Sequence, residues 1–184
     1  MSITFAQLGV PSFVCDALAE RGIHEPFEIQ AATIADGLAG RDVCGRAPTG
    51  SGKTLAFGVP LVATTAALGN SAPRRPVALV LAPTRELAEQ ITTELRTSSG
   101  SVRIAAVYGG VGYGAQLNAL KRGVDILVAC PGRLEDLIER RDVDLREVRQ
   151  VVLDEADRMA DMGFMPAVKR LLDQTPSDRQ TVLF

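Results

Sequence analysis

Short apolar runs that alternate with helical patterns restrict the possible folds of this 184-residue chain more than any other feature. Runs so rich in Val, Ile and Leu are typical of parallel strands that are buried on both faces. The predicted strands are Asp42–Gly45, Val77–Ala82, Val102–Val107, Val124–Ala129, Val151–Leu153 and Thr181–Phe184. The predicted helices lie at about residues 12–18, 28–38, 53–67, 84–98, 114–121, 133–140, 155–160 and 165–173. This alternation predicts an α/β fold in one domain, with helices on both faces of a mostly parallel central sheet.

The charge balance and the cysteine content exclude several classes of protein. With 20 Lys and Arg against 22 Asp and Glu, the net charge of −2 argues against nucleic-acid binding through a broadly basic surface. Aromatic residues make up 4% and Trp is absent, so an extended base-stacking platform is not expected. Cys15, Cys44 and Cys130 have the spacing neither of a disulfide framework nor of a zinc site. With no signal peptide and no apolar run of transmembrane length, the sequence predicts a soluble, cytoplasmic protein without a membrane partner.

The segment Ala47–Thr54, with the sequence APTGSGKT, follows a short predicted strand and opens a predicted helix. Glycine at two positions allows the backbone to turn its N–H groups around a phosphate at the helix N-terminus. Lys53 would reach the β- and γ-phosphates, and the Thr54 hydroxyl would bind Mg²⁺. The alternative interpretation is a solvated Gly-rich loop. The residues expected to hold a nucleotide are Thr49, Gly50, Ser51, Gly52, Lys53 and Thr54.

The acidic motif Asp154–Asp157, with the sequence DEAD, directly follows a buried predicted strand. Asp154 can hold the Mg²⁺ shell, and Glu155 can orient and deprotonate an attacking water. Lys53, Asp154 and Glu155 are therefore the candidate catalytic residues. The alternative interpretation is an acidic helix N-terminus that the helix dipole stabilises.

Two other segments are expected to carry no chemistry. Gly69–Pro76 is predicted to be a Pro- and Gly-rich surface loop that needs no partner. Gly110–Ala115 matches a dinucleotide-binding fingerprint, which also requires an acid at the end of the next strand. Here that acid, Asp125, lies at the wrong end of the strand, so dinucleotide binding is not predicted.

The phosphate loop and the acidic motif resemble those of the first RecA-like domain of bacterial-type DEAD-box RNA helicases, and the resemblance covers essentially the whole chain. Gly22–Gln30, with Phe5 upstream, resembles the adenine-recognition motif of that family. The resemblance implies that the Gln30 amide pairs with the edge of adenine while Phe5 stacks on its ring. The alternative interpretation is that Gln30 is a surface residue of a helix and Phe5 a core anchor. Phe27 departs from the pattern, because the family often has Thr or Ser at this position.

Three further elements resemble the RNA-contacting motifs of the family. The resemblance implies that two helix N-termini, with Arg85 and Arg133, hold the sugar-phosphate backbone of RNA independently of base sequence. The alternative role for both arginines is structural, as partners of nearby carboxylates. Cys130 stands where the family usually has Thr. The implied RNA-binding residues are Pro83, Thr84, Arg85, Gly109, Gly110, Pro131, Gly132 and Arg133.

The last residues form an apolar strand that stops at Phe184, which leads us to expect a fragment of a longer chain. Residues 1–40 would be the adenine-recognition segment and residues 41–184 the core of one RecA-like domain. Asp157 would couple this domain to a second, C-terminal one that lies beyond the chain. The resemblance implies a monomeric ATP- and Mg²⁺-dependent RNA helicase, of which this fragment alone would turn over ATP very slowly. Two alternatives remain: an ATP-dependent RNA clamp without productive turnover, and another P-loop NTPase such as a DNA helicase.

Overall fold

One central sheet of six strands organises the computed structural model, which describes residues 2–184. The strands are β1 (Val43–Cys44), β2 (Ala78–Leu81), β3 (Ile104–Val107), β4 (Ile126–Ala129), β5 (Gln150–Leu153) and β6 (Gln180–Leu183). Their order across the sheet is β1-β6-β5-β2-β4-β3, and every pairing is parallel. Each predicted strand overlaps an observed one, and the predicted α/β fold is confirmed.

Helices connect the strands in the order that the sequence predicts. They are α1 (Ser12–Glu20), α2 (Glu28–Leu38), α3 (Lys53–Leu68), α4 (Arg85–Arg96), α5 (Gly114–Arg122), α6 (Pro131–Glu139), α7 (Ala156–Asp161) and α8 (Met165–Leu172), preceded by a 3-10 turn at Ala6–Leu8 that the sequence pattern does not predict. Helix α6 begins earlier than predicted because the proline at its first position has a backbone angle suited to a helix start. Among residues 2–184, the helices lack the combination of length and apolar composition that crossing a bilayer requires.

Successive side chains of the strands enter two separate cores, one on each face of the sheet. On β2, Ala78 and Val80 pack into the first core, which α1, α2, α3 and α4 complete. Leu79 and Leu81 pack into the second core, which α5, α6, α7 and α8 complete. Both faces of the sheet are therefore covered, as the continuous apolar character of the strands predicts.

A row of buried amides ties α2 and α3 to the amino-terminal end of the sheet. Thr64 of α3 donates to Gln150 Oε1 over 2.8 Å, and Gln150 Nε2 donates to Gln180 Oε1 over 2.9 Å. Gln180 Nε2 in turn donates to the backbone oxygens of Gly37 and Arg41, at the end of α2. Because buried polar groups that are fully paired favour one arrangement, this row fixes both helices relative to β5 and β6.

The segment Gly69–Pro76 differs from its predicted role as a loop without partners. The backbone N–H and the hydroxyl of Ser71 donate to Asp125 Oδ1 over 2.7 and 2.8 Å. Arg103 donates to the Ser71 carbonyl and to the same carboxylate. Asp125 precedes β4 and is 1% exposed, so its charge needs these donors, and the loop supplies them.

Candidate functional site

The carboxyl ends of the parallel strands bring the sequence motifs to one edge of the sheet. The phosphate loop follows β1, and Asp154 follows β5. The elements that begin with Pro83, Gly109 and Pro131 follow β2, β3 and β4, respectively. This edge is where ligands bind in open α/β sheets.

The phosphate loop has the backbone shape that its glycines allow. Gly50 and Gly52 have φ angles of +82° and +80°, in the left-handed region that other residues rarely adopt. A side chain on Gly52 would also collide with Gln30, whose Nε2 would lie 2.4 Å from the added Cβ. Lys53 then begins α3, a long helix whose unpaired N-terminal N–H groups and dipole favour an anion.

An ion pair joins the phosphate loop to the acidic motif. Lys53 Nζ lies 3.2 Å from Asp154 Oδ1, and the Asp154 side chain has no exposed surface. Burial raises the pKa of the Asp154 carboxyl, although Lys53 acts in the opposite direction. Asp154 Oδ2 has no hydrogen-bond partner in the part of the chain that is described. A buried carboxylate oxygen without a partner suits a hard cation such as Mg²⁺, and Thr54 lines the adjacent cleft.

Glu155 has a strained backbone beside this ion pair. Its φ and ψ angles of 52° and 50° lie in the left-handed region, at a cost of order 1 kcal/mol for a residue with a Cβ. Its carboxylate accepts a hydrogen bond from Arg158 over 3.3 Å and lines the same cleft as Lys53. Asp157, two residues further, is exposed and accepts a hydrogen bond from the Arg158 backbone N–H.

A cleft of about 420 Å³ is lined by Glu155, Lys53 and the phosphate loop. The apolar side chains of Ile23, Phe27 and Leu87 also line it, together with polar residues that include Glu25 and Glu94. Phe5 is not among the lining residues: it is 3% exposed and belongs to the first core. The Phe5 ring thus anchors the N-terminal segment in this structure, and its stacking on a base stays a prediction.

Gln30 links the adenine-recognition segment to the phosphate loop. Its Oε1 accepts from the Phe27 backbone N–H over 2.9 Å, and its Nε2 donates to the Gly52 carbonyl over 3.0 Å. The residue is 2% exposed and still lines the cleft. One amide hydrogen and one oxygen lone pair remain available after these two bonds.

The elements after β2, β3 and β4 have more internal contacts than expected of RNA-binding residues. Arg85 is 46% exposed, pairs with Glu89 over 3.4 Å and lies over the Tyr108 ring. Thr84 accepts from the Leu87 backbone N–H and caps α4. Gly109, Gly110 and Gly132 are exposed, whereas Pro83 and Pro131 are buried at the helix starts and shape the backbone there.

Arg133 is held by the loop that follows β3 and by α5. Its Nη2 donates to the Val111 carbonyl over 2.9 Å, and its Nη1 donates to Gln116 Oε1 over 3.2 Å. Its guanidinium carbon lies 4.3 Å from the centre of the Tyr113 ring, which also contacts Arg140. The structural alternative considered for Arg133 thus holds in part, although its partners are a carbonyl, an amide and a ring and not carboxylates. No local sequence signal connects Arg133 to Tyr113.

Comparison with known proteins places these motifs in a family. The sequence matches the profile of DEAD/DEAH box helicases over residues 27–184. The chain belongs to this family. Its curated DEAD-box relatives include the chloroplastic DEAD-box ATP-dependent RNA helicase 3A of Zea mays, which is 46% identical over 99% of this chain and 25% of the relative. They also include ATP-dependent RNA helicase DBP2 of Chaetomium thermophilum, which is 45% identical over 98% of this chain and 33% of the relative.

A solved DEAD-box structure has the same fold. The crystal structure of a DEAD box protein from the hyperthermophile Methanococcus jannaschii matches with a TM-score of 0.88 and 34% identity, over 98% of this chain and 49% of that chain. The expected RecA-like fold is therefore confirmed. The chain spans about a quarter to a third of the length of the two DEAD-box relatives named above.

Cys130 and Phe27 remain the two departures from the usual DEAD-box pattern. Cys130 is the N-cap residue of α6, and its side chain makes no capping hydrogen bond. Burial, with a smaller effect of Glu86, raises the pKa of this thiol to about 11, so it is neutral at physiological pH. Phe27 is 60% exposed and lines the cleft, which its position in the sequence motif does not predict.

Proposed function

We propose that this chain is the N-terminal ATP- and RNA-binding domain of an ATP-dependent RNA helicase, which couples ATP hydrolysis to local unwinding of RNA duplexes. The observation that carries the proposal is the 3.2 Å contact between Lys53 and Asp154. It joins the phosphate loop to the acidic motif at the sheet edge that also presents the RNA-binding elements. This closeness lets one nucleotide contact both motifs.

The nucleotide is proposed to lie along the cleft with its phosphates at Thr49–Thr54. Lys53 neutralises phosphate charge, and the backbone N–H groups of the loop and of the first turn of α3 hold the phosphate oxygens. At the other end, the remaining hydrogen and lone pair of the Gln30 amide match the N7 acceptor and the N6 donor of adenine. This match supports ATP as the nucleotide.

Thr54 and Asp154 are the residues proposed to hold Mg²⁺. When bound, the ion would neutralise negative charge that develops on the phosphates. Glu155 is proposed to orient the attacking water and accept its proton, since it lines the cleft beside the phosphate loop. Its strained backbone supports this role, because such strain is concentrated at functional sites.

RNA is proposed to bind through its sugar-phosphate backbone, without sequence preference, at the N-termini of α4 and α6 and at Arg85 and Arg133. A second RecA-like domain, coupled through Asp157, would supply the arginine finger that accelerates hydrolysis by about 10³–10⁵-fold. This chain alone should therefore bind nucleotide, hydrolyse it very slowly and not unwind RNA. The whole protein is proposed to be a cytoplasmic monomer.

The test of nucleotide binding is a titration of the purified chain with fluorescently labelled ADP in Mg²⁺. The Lys53→Ala variant should weaken binding by about 10- to 100-fold, because a hydrogen bond to a charged group is lost. Lys121→Ala, which removes an exposed lysine of α5, is the matched control and should bind like the wild type. Unchanged binding by Lys53→Ala, or equal competition by GTP and ATP, would contradict the proposal.

RNA binding is tested by titrating single-stranded RNA at several salt concentrations. Arg85→Ala should weaken binding to all sequences alike and reduce the slope of log K against log salt by about 1, because one phosphate contact is lost. Arg146→Ala is the control, since Arg146 is 77% exposed and lies outside the motifs. An unchanged slope for Arg85→Ala would argue against the proposed RNA path.

A further inference from the structure

Phe27 is the most exposed of the large hydrophobic side chains in residues 2–184. Its 60% exposure exceeds the 38% of Phe13, which is the next exposed phenylalanine. An exposed aromatic ring contributes little hydrophobic stabilisation to the fold. An exposed ring that lines a cleft therefore suggests a binding role. The backbone of Phe27 is held in place, because its N–H donates to Gln30 Oε1 just before α2 begins.

The ring lies over the phosphate loop and beside the Gln30 amide. A Cβ placed on Gly52 would lie 2.8 Å from Phe27 Cδ2 and 2.4 Å from Gln30 Nε2. Gly52 directly precedes Lys53, so this ring and amide stand at the beginning of the phosphate-binding helix. Ile23 and Leu87 are further apolar residues that line this cleft.

We propose that Phe27 is the aromatic residue that contacts the face of the nucleobase, while Gln30 contacts the edge. The inference rests on the proposed function, since it assumes that a nucleotide occupies the cleft. Phe27 lines the same cleft as Gln30 and lies beside the Gln30 amide that is proposed to contact the base, whereas Phe5 is buried and does not line the cleft. Every base has a π-face, so this contact increases affinity without selecting adenine. In this chain an aromatic ring thus takes a place where the family often has a hydroxyl.

The absence of Trp from the chain permits a direct test. The Phe27→Trp variant carries a single indole at the cleft, and ADP should change its emission with the same midpoint as the binding titration. The Phe13→Trp variant is the matched control. Phe13 belongs to α1, lies against Gly100 and is not one of the residues that line the cleft. The emission of Phe13→Trp should not respond to ADP. No response of Phe27→Trp at saturating ADP would overturn the inference.

A ligand that has phosphates but no base distinguishes two roles for Phe27: contact with the base, and an effect on the shape of the phosphate loop. Phe27→Ala should weaken ADP binding by roughly 5- to 100-fold, the range expected for the loss of one base–aromatic contact. Binding of inorganic tripolyphosphate should stay within about twofold, as should ADP binding by Phe13→Ala. Equal weakening of ADP and tripolyphosphate by Phe27→Ala would mean that the ring only shapes the loop, and the inference would be wrong.

The Lys53→Ala variant distinguishes failure of this inference from failure of the proposed function. If Lys53→Ala loses ADP binding while Phe27→Ala binds like the wild type, the nucleotide site stands and the role of Phe27 is refuted. If the wild type itself binds neither ADP nor ATP, both proposals are refuted together.

Discussion

Replacing Asp125 by asparagine should destabilise the fold, because this carboxylate is the centre of a buried network. Its two oxygens accept from the Ser71 N–H over 2.7 Å and from the Arg103 N–H and Nη2 over 2.8 Å each. Burial alone would raise its pKa, but the hydrogen bonds from Arg103 and Ser71 lower the pKa from 3.8 to about 2. The ionised form is therefore strongly favoured in the folded protein.

The pKa gives the size and the pH range of the effect. At about 1.4 kcal/mol per pKa unit, a decrease from 3.8 to about 2 stabilises the folded state by about 2.5 kcal/mol at pH 7. Because the folded pKa is the lower one, this stabilisation is complete above the unfolded pKa and is lost as pH falls through about 2. At pH 3 about 1 kcal/mol of it remains. The asparagine amide would also turn an NH₂ group toward the donors of Arg103 or Ser71, so we expect Asp125→Asn to cost about 3–5 kcal/mol at pH 7.

Urea unfolding of wild type and Asp125→Asn at pH 7 and pH 3 measures this difference. The wild type and Asp125→Asn should differ in free energy of unfolding at both pH values, with the same m-value. This difference should be smaller at pH 3 than at pH 7 by about 1–1.5 kcal/mol. The control is Asp36→Asn, which removes a surface ion pair with Arg41 and should cost less than about 1 kcal/mol. A destabilisation by Asp125→Asn that is equal at the two pH values, or below about 1 kcal/mol at pH 7, would refute the argument.

Three further substitutions test other buried or strained groups. Gln180→Leu removes the donor to two carbonyls at the end of α2. Urea unfolding should show a free energy of unfolding lower by about 2–4 kcal/mol, and a loss below about 1 kcal/mol would contradict this prediction. Glu155→Gly relieves the left-handed strain, so the melting temperature should rise, while the hydrolysis proposed for the whole protein should be lost; a lower melting temperature would contradict the strain argument. Lys53→Met removes the charge that lowers the pKa of Asp154. The pKa of Asp154 in the folded state therefore rises further above its value in the unfolded state. The folded state then retains a proton that the unfolded state releases, and the loss of stability should be greater at pH 7 than at pH 5.

The fold could be predicted from the sequence because every strand contains apolar residues in succession. β2, with the sequence ALVL, is buried at every position, and so are β4 and β5. Such runs have one interpretation when helical patterns separate them, namely a parallel sheet that is covered on both faces. The partners of the Gly69–Pro76 loop could not be predicted, because Asp125 and Arg103 lie far away in sequence. Composition identifies a loop, but it does not identify what holds the loop.

The site was predictable where a motif is local and less so where partners are distant. The phosphate loop needs only its own glycines and the helix that follows, so its shape agrees with the sequence. Phe5 and Phe27 show the limit, since an isolated aromatic residue does not reveal which side of the segment is buried. The structure buries Phe5, which the resemblance implied to stack on the base, and exposes Phe27 in the cleft, for which the sequence predicted no role. For Arg133 the sequence suggests carboxylates as the structural partners, because its actual partners, Val111 and Gln116, cannot be read from its neighbours.

Several of the groups proposed to bind ligands already have a partner within the chain. Lys53 contacts Asp154, Gln30 contacts Gly52, and Arg133 contacts Val111. A ligand that binds these groups must either use their remaining hydrogens and lone pairs or replace the internal partner. In the second case its affinity reflects the free energy of the new contact minus that of the internal contact it replaces. Gln30 retains one hydrogen and one lone pair and can bind adenine without releasing the loop. Arg133 differs, because a phosphate that takes both of its bonded nitrogens would release the loop after β3, so RNA binding at Arg133 must be coupled to the position of that loop.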